Sequence, residues 1–475
     1  MQLPTHPILR AVAWLSVPFL VAGCSSSDSR AQAALGAYQS AAAANDMFGA
    51  RRALLQLVRA KDDVSDYWAE LGKVQTAIGS YNDAYYAFTR AYELDRSNPE
   101  LIKALTELAL RSGDIGAAQS HAEELEVVSP GDPWVKIVKG WGAYSDSHFD
   151  QSLAISDELL AASPSDPIAT QLKARSLISL NREPDAVELL TKQVQAQPSD
   201  FGSYQLLSRI YEHQGDWAKV ADCAQHMVAL NPADRNGMLL LVKAALRSGD
   251  AATGRDTSLK LLQPDADPQM VASVLDLWAD YWPSSQRIAD ARRLAAAAPP
   301  SQKLVYAAFL SRTGSPADAL RLAAATATLP VRADNAEANA VAGDALLRSG
   351  NLAGAKTRLD AVLAFDPGDA TALRARSELE LRTGNAAAAI HDAQKLITVL
   401  PDSARDRLLL ARAFTAAGQK DWANRTLWSA FQDIPANESI YAALRGTRNG
   451  NADAMNEVQE EFERQRGAKL TKGLL

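Results

Sequence analysis

The order of apolar, small and polar residues in the stretch 65–99 (SDYWAELGKVQTAIGSYNDAYYAFTRAYELDRSNP) predicts two helices joined by a bend at Gly79. With Ser65 as position 1, Trp68 falls at 4, Leu71 at 7, Gly72 at 8, Gly79 at 15, Ala84 at 20, Phe88 at 24 and Ala91 at 27. At about 100° per residue, positions 4, 7, 8 and 11 of the first helix share one face, which is the packing face. Positions 2, 5, 9, 12 and 13 fall on the opposite face. The small residues at 8 and 20 let the two helices approach closely.

The pattern recurs in register. Pro130, Pro164, Pro198 and Pro232 follow one another at intervals of 34 residues, and so do Pro367, Pro401 and Pro435. The mid-repeat glycines Gly79, Gly113, Gly215, Gly249, Gly350, Gly384 and Gly418 keep nearly the same step, as do alanines such as Ala84, Ala118, Ala186, Ala355, Ala389 and Ala423. Well-formed repeats begin near 65, 99, 133, 167, 201 and 235, after a degenerate one at 31–62. Between Gly249 and Gly350 the step fails, since 101 residues separate them, one short of three repeats. Pro264, Pro268, Pro283, Pro299 and Pro300 crowd this region, yet Val271, Val274, Leu275 and Trp278 keep helical spacing. Residues 265–335 therefore read as eroded repeats in a continuous core, or as a hinge. Clean repeats resume near 336, 370 and 404. Beyond them a polar helix at about 451–466, with Met455, Val458 and Phe462 on one side, reads as a solvated end cap, and the tail from Gly467 as frayed.

This signature resembles the tetratricopeptide repeat, whose 34-residue pattern carries Trp, Leu, Gly, Ala and Phe in the slots named above. Arg96 stands where that pattern usually has Pro, and Pro99 follows three residues later. The resemblance covers roughly residues 31–446 and implies an all-α, right-handed superhelical solenoid of about twelve helix-turn-helix repeats. The expected organisation is an N-terminal array over 31–264, the eroded segment 265–335, a C-terminal array over 336–446 and a capping helix with tail over 447–475.

The first residues carry a different signal. Arg10 precedes an apolar run from Ala11 to Val21, too short for a membrane-spanning helix of about 20 residues and suited to a signal-peptide core over 1–23. Leu20-Val21-Ala22-Gly23-Cys24 resembles the lipobox of bacterial lipoproteins. That resemblance implies acylation of Cys24 as the mature N-terminus, with residues 24–30 as a polar tether. Ser25 after the Cys implies outer-membrane sorting, facing the periplasm. An ordinary signal peptide cleaved nearby is the plainer alternative.

Net charge sharpens the partner class. The chain has 475 residues with 49 basic and 56 acidic, a charge of −7. Without residues 1–23 it keeps 48 basic and 56 acidic residues, a charge of −8. That balance argues against a nucleic-acid binder. Cys24 and Cys223 are the only cysteines, too few for a disulfide framework. No Cys-x-x-Cys, His-Glu-x-x-His, Gly-x-Ser-x-Gly, P-loop or GxGxxG occurs, so no enzyme, cofactor or metal site is expected. His213, Cys223 and His226 share one repeat but lack a fourth ligand and read as rim and core residues. Asp265 and Asp267 read as a turn.

The face opposite the packing positions lines the concave surface in solenoids of this family. Position 9 reads Lys73, Glu107, Trp141, Arg175, Arg209 and Lys243, and position 13 includes His213 and Arg247. Trp134 and Tyr144 stand at positions 2 and 12 of their repeat. The expected groove thus carries an aromatic patch (Trp134, Trp141, Tyr144) and a basic ladder (Arg175, Arg209, Lys243, Arg247), with Lys73 in the same column. Position 9 of the C-terminal array reads Asp344, Glu378 and Arg412, a mixed column. The family's carboxylate-clamp version wants Asn at position 9, and Arg or Lys stands there instead. Three readings follow: a non-enzymatic scaffold for protein partners in an envelope machine (polysaccharide export, pilus or secretion), a receptor for an anionic polymer or acidic peptide, and a regulator of a cell-wall synthase.

Overall fold

The computed structural model describes residues 27–448 and 451–471, and every regular element among them is an α-helix. The lipobox and Cys24 lie outside the described residues. No described helix is long and apolar enough to cross a membrane. The chain forms two compact units, divided between Ser145 and Asp146, inside the segment expected as a single N-terminal array.

The first unit is a stack of hairpins. It contains α1 (Ser27–Ala43) with α2 (Met47–Ala60), α3 (Ser65–Ile78) with α4 (Tyr81–Leu94), α5 (Pro99–Ser112) with α6 (Ile115–Val128), and α7 (Pro133–Ser145). Residues 27–30, expected as tether, are instead the opening turn of α1. Asp28 suits the positive end of a helix there and meets Lys61 at 2.7 Å. The bend at Gly113 shows how each hairpin is made. Its φ of 77° is one that residues with a Cβ rarely adopt. With Gly113 so placed, its N–H reaches Leu110 O at 3.1 Å and the Asp114 N–H reaches Ala109 O at 2.9 Å. Asp114 then opens α6 by accepting from the Ala117 N–H at 2.9 Å. At Gly72 the paired helices come so close that a Cβ would sit 2.8 Å from the Phe88 ring.

The second unit continues the same hairpin. It runs through α8 (Phe149–Ala162), α9 (Pro167–Ser179), α10 (Glu183–Ala196), α11 (Phe201–Gln214), α12 (Trp217–Leu230), α13 (Arg235–Ser248) and α14 (Ala251–Leu261). The irregular middle supplies α15 (Pro268–Tyr281), α16 (Ser285–Ala297), α17 (Pro300–Arg312) and α18 (Pro316–Ala323). Regular pairs return with α19 (Ala336–Arg348), α20 (Leu352–Phe365), α21 (Ala370–Arg382), α22 (Ala386–Val399), α23 (Ala404–Ala416) and α24 (Lys420–Asp433). The unit ends with α25 (Glu438–Thr447) and α26 (Ala452–Thr471).

First helices start where the sequence register places them, at 65, 99, 133, 167, 201 and 235 and again at 336, 370 and 404. The molecule is an all-α solenoid of helix-turn-helix repeats on the tetratricopeptide pattern. In the middle, first helices start 33, 32 and 36 residues apart, which accounts for the lost step. One apolar cluster nevertheless runs from Met238 and Val242 through Val271, Leu275, Trp278, Tyr306 and Leu310 to Val341 and Ala345. The long turn before α19 is tied down from within. The Asn335 and Asn339 amides donate to the Thr328 carbonyl at 3.2 and 2.9 Å, answering backbone acceptors that no helix satisfies.

The end of the chain departs from expectation. Residues 467–471 are helical rather than frayed, because α26 carries Leu470 into a buried position. Most of the polar side of α26 is exposed. Val458 and Phe462 pack in a core with Phe431, Ile440 and Leu444, and the helix then runs on to α9 and α11.

Candidate binding face

In the first unit, the candidate residues serve mainly local packing and pairing. Lys73 on α3 is exposed and meets Glu70, three residues earlier, at 2.8 Å. Trp134 is half-buried beside Ile102, Leu125 and Val135. Trp141 meets Tyr144 edge to face, with ring centres 6.0 Å apart. Tyr144 is only 5% exposed, so it is buried and does not open onto a groove, contrary to expectation. The periodicity placed it correctly on the helix but could not show how closely the surrounding chain covers that face.

The second unit holds the rest of the ladder. Arg175 on α9 and Arg209 on α11 are half-buried. Lys243 and Arg247 lie one turn apart on α13 and converge on one ring, that of Trp217 at the start of α12. The Lys243 ammonium lies 4.9 Å from the ring centre and the Arg247 guanidinium 3.9 Å. Tyr281, the last residue of α15, lies 5.1 Å from the same guanidinium. Arg247 is thus flanked by two aromatic faces, which attract a cation and hold it in place. Lys243 bonds Glu212 at 2.8 Å. Burial works against ionisation of Glu212, but the bond and charge of Lys243, with Lys469 and Arg247 nearby, hold its pKa below the usual range.

Arg247 already holds a carboxylate. Its Nη2 donates to both oxygens of Glu438, each at 2.9 Å, and Glu438 opens α25, 191 residues further along the chain. A second long-range contact lies beside it: the Arg466 guanidinium of α26 donates to the His213 carbonyl at the end of α11. Between α26 and α9–α11 a cavity of about 530 Å³ remains, lined by residues including Ile178, Glu183, His213, Arg464 and Leu470. The second unit therefore curls until its last two helices cover the inner face of its α9–α13 part.

Trp217, Tyr281 and Glu438 are the functional candidates that periodicity missed. The inner-face positions were counted on first helices of regular repeats. Trp217 opens a second helix, Tyr281 belongs to the segment that lost step, and Glu438 lies beyond the last clean repeat. The mixed C-terminal column is an ion-pair network: Arg348 meets Asp344 at 3.0 Å and Glu378 at 3.3 Å, while Arg412 is exposed. His213 meets Glu183 at 3.1 Å, and His226 stacks on Tyr204 with ring centres 4.7 Å apart. Burial pushes the Cys223 thiol up to about 12. Among the described residues no group of three or more His, Cys, Asp or Glu is arranged to hold a metal.

No protein-family model matches the chain, and no curated protein does. Among solved structures it is similar to a tetratricopeptide repeat protein from Parabacteroides merdae, at 14% identity and a TM-score of 0.38, over 52% of this chain and 98% of that one. It is also similar to PilW, a widely conserved type IV pilus biogenesis factor, at 18% identity and a TM-score of 0.33, over 42% and 91% of the two chains. A third similar structure is the MamA protein, at 17% identity and a TM-score of 0.30, over 35% and 92%. These likenesses concern the helical fold and extend to no ligand or partner.

Proposed function

We propose that the chain is a lipid-anchored scaffold of the bacterial envelope. It faces the periplasm and holds protein partners of an assembly such as polysaccharide export, a pilus or a secretion system. The repeat fold favours this reading, because stacked helix pairs give extended inner surfaces suited to protein partners. The observation that carries it is the clamp on α13. An arginine fixed between Trp217 and Tyr281 donates from one nitrogen, Nη2, to both oxygens of a carboxylate, a charge-assisted contact stronger than one between neutral groups. A partner would present an acidic side chain in the place of Glu438.

The same observation favours an acidic protein segment over an anionic polymer. A polymer receptor needs a free cationic stripe. Here Lys73, Lys243 and Arg247 each have an internal carboxylate partner, so a ligand must replace a specific carboxylate rather than condense on open charge. Affinity capture from detergent-solubilised envelopes tests the reading. Arg247→Ala is expected to lower recovery of specifically captured partners about tenfold, equivalent to about 1.4 kcal/mol. Lys192→Ala, which breaks an exposed pair with Glu188, should leave recovery unchanged. Equal recovery by Arg247→Ala and the wild type would remove the clamp from the binding surface.

The anchor has its own test. Cys24→Ser is expected to move the protein from the membrane pellet to the soluble fraction and to abolish labelling by radioactive palmitate. Acyl chains contribute about 0.8 kcal/mol per buried methylene, and more than one chain is needed for stable attachment. An unchanged membrane fraction would show that something other than Cys24 holds the chain there.

A further inference from the structure

In a stack of repeats each unit touches its neighbours and nothing farther. Among the described residues the second unit breaks that rule where α25 and α26 return to α9, α11 and α13. We infer that the inner face of α9–α13 is an interaction surface for an acidic helix, and that the chain's own α25–α26 occupies it as an internal competitor which a partner displaces. This inference rests on the scaffold reading above and adds what controls access to the surface.

Three observations support it. The first is the chemistry of the occupant. Glu438 is the opening residue of α25, capped by Asn437, whose side chain accepts from the Ser439 and Ile440 amides at 3.1 and 3.0 Å. The clamp therefore reads a carboxylate presented at the start of a helix, a position where acidic residues are favoured. A partner helix with a glutamate in its first turn offers the same group.

The second is the contrast between the two parts of α26. As far as Gln465 it is held to α24 and α25, with Val458 fully buried and Phe462 nearly so against Phe431 and Leu444, and with Gln465 donating to the Phe431 carbonyl and accepting from the Ala436 N–H. Beyond Gln465 it meets α9–α11 through the Arg466–His213 bond and the side of Leu470, and leaves the cavity between them. Well-packed interiors contain few voids larger than a water molecule. The contact across the inner face is therefore much less complementary than the one holding α26 to α24 and α25, and it opens first.

The third is the exposure of the bonds that close it. Glu438 keeps 61% of its side chain exposed, whereas Arg247 keeps 18%. The clamp side is rigid and sheltered; the occupant side is open to water and to exchange. Lys469 near Glu212 adds a further charge contact of the same kind. Contacts of this type weaken with salt.

The test uses the full-length protein. Hydrogen exchange over residues 466–471 is expected to speed up at least tenfold in Glu438→Gln and in wild type raised to 0.5 M salt (about a threefold increase over physiological ionic strength), while residues 455–465 keep their protection. A synthetic peptide of residues 435–471 of this chain then serves as the acidic-helix probe. It should bind Glu438→Gln at least tenfold more tightly than wild type and should not bind Arg247→Ala. Two results overturn the inference: unchanged exchange over 466–471 in Glu438→Gln, or equal affinity of the peptide for Glu438→Gln and wild type. The docking reading is judged separately. Arg247→Ala opens the same contact as Glu438→Gln but loses the clamp, so the two variants should move partner capture in opposite directions. If exchange and peptide affinity respond as expected while capture does not, the internal contact stands and the scaffold reading falls.

Discussion

Trp278→Ala is expected to lower the stability of the second unit by about 3–5 kcal/mol, the range for truncating a large buried aromatic residue. Trp278 is fully buried at the centre of the irregular middle. It meets Trp282 edge to face at 5.0 Å and Phe309 at 6.3 Å between ring centres. Its indole N–H donates to the Ser258 hydroxyl at 2.8 Å, and that hydroxyl in turn donates to the Gly254 carbonyl at 2.7 Å. The substitution removes apolar area, leaves a cavity bounded by α14, α15 and α17, and strands the Ser258 oxygen without its donor. Trp278→Phe keeps a ring in place and should cost clearly less. Denaturant unfolding followed by helical circular dichroism measures the loss. Hydrogen exchange should place it in residues 251–312 and leave the first unit protected, since repeats stabilise their neighbours only. A loss under about 1 kcal/mol, the level of an ordinary substitution, would mean that the middle is not held together by this core.

The second large effect is electrostatic. Asp406→Ala is expected to destabilise α21–α24 by about 3–5 kcal/mol, the cost of breaking a buried ion pair from one side. The Asp406 carboxylate is fully buried and takes two bonds from Arg374, at 2.6 and 2.7 Å. Arg374 keeps only 18% of its side chain exposed, so water cannot replace the lost carboxylate. Its neighbourhood offers little relief, because Arg405 and Arg348 lie along the same face and share Glu378, at 3.9 and 3.3 Å. Replacing both partners by leucine should recover most of the loss, because no unpaired charge then remains in the interior. A double-mutant cycle checks both statements. If the double variant is as unstable as Asp406→Ala, the cost comes from lost packing around α23 and not from the stranded arginine.

Much of the fold was legible because a repeat states its packing rule many times. Gly at position 15, Ala at 20 and Pro at 32 each do one local job: a left-handed bend, a close helix approach and a helix stop. Their spacing alone put the first helices at 201 and 235 and again at 336, 370 and 404. The candidate face was only half legible. Counting positions put Lys243 and Arg247 on one side of α13, because both belong to one regular helix, and both do reach the Trp217 ring. It also put Tyr144 on that surface, where the structure buries it. It missed Trp217 and Tyr281, which reach Arg247 from a second helix and from the segment that lost step. The tail read as a solvated cap because α26 is polar over most of its length, and polarity does not reveal what a polar helix bonds to.

The sequence by itself determined the hairpin, its register and the nearness of Lys243 and Arg247 on α13, because these depend on residues within about 34 positions of one another. The tertiary structure decided which of those residues are open, and that the arginine expected to await an acidic ligand already holds Glu438, 191 residues away. The physical reason is accumulation. Each repeat sets a small rotation against the next, and no single spacing encodes where many such rotations bring the chain. Only their sum, in three dimensions, carries α25 and α26 back to the inner face of α9–α13.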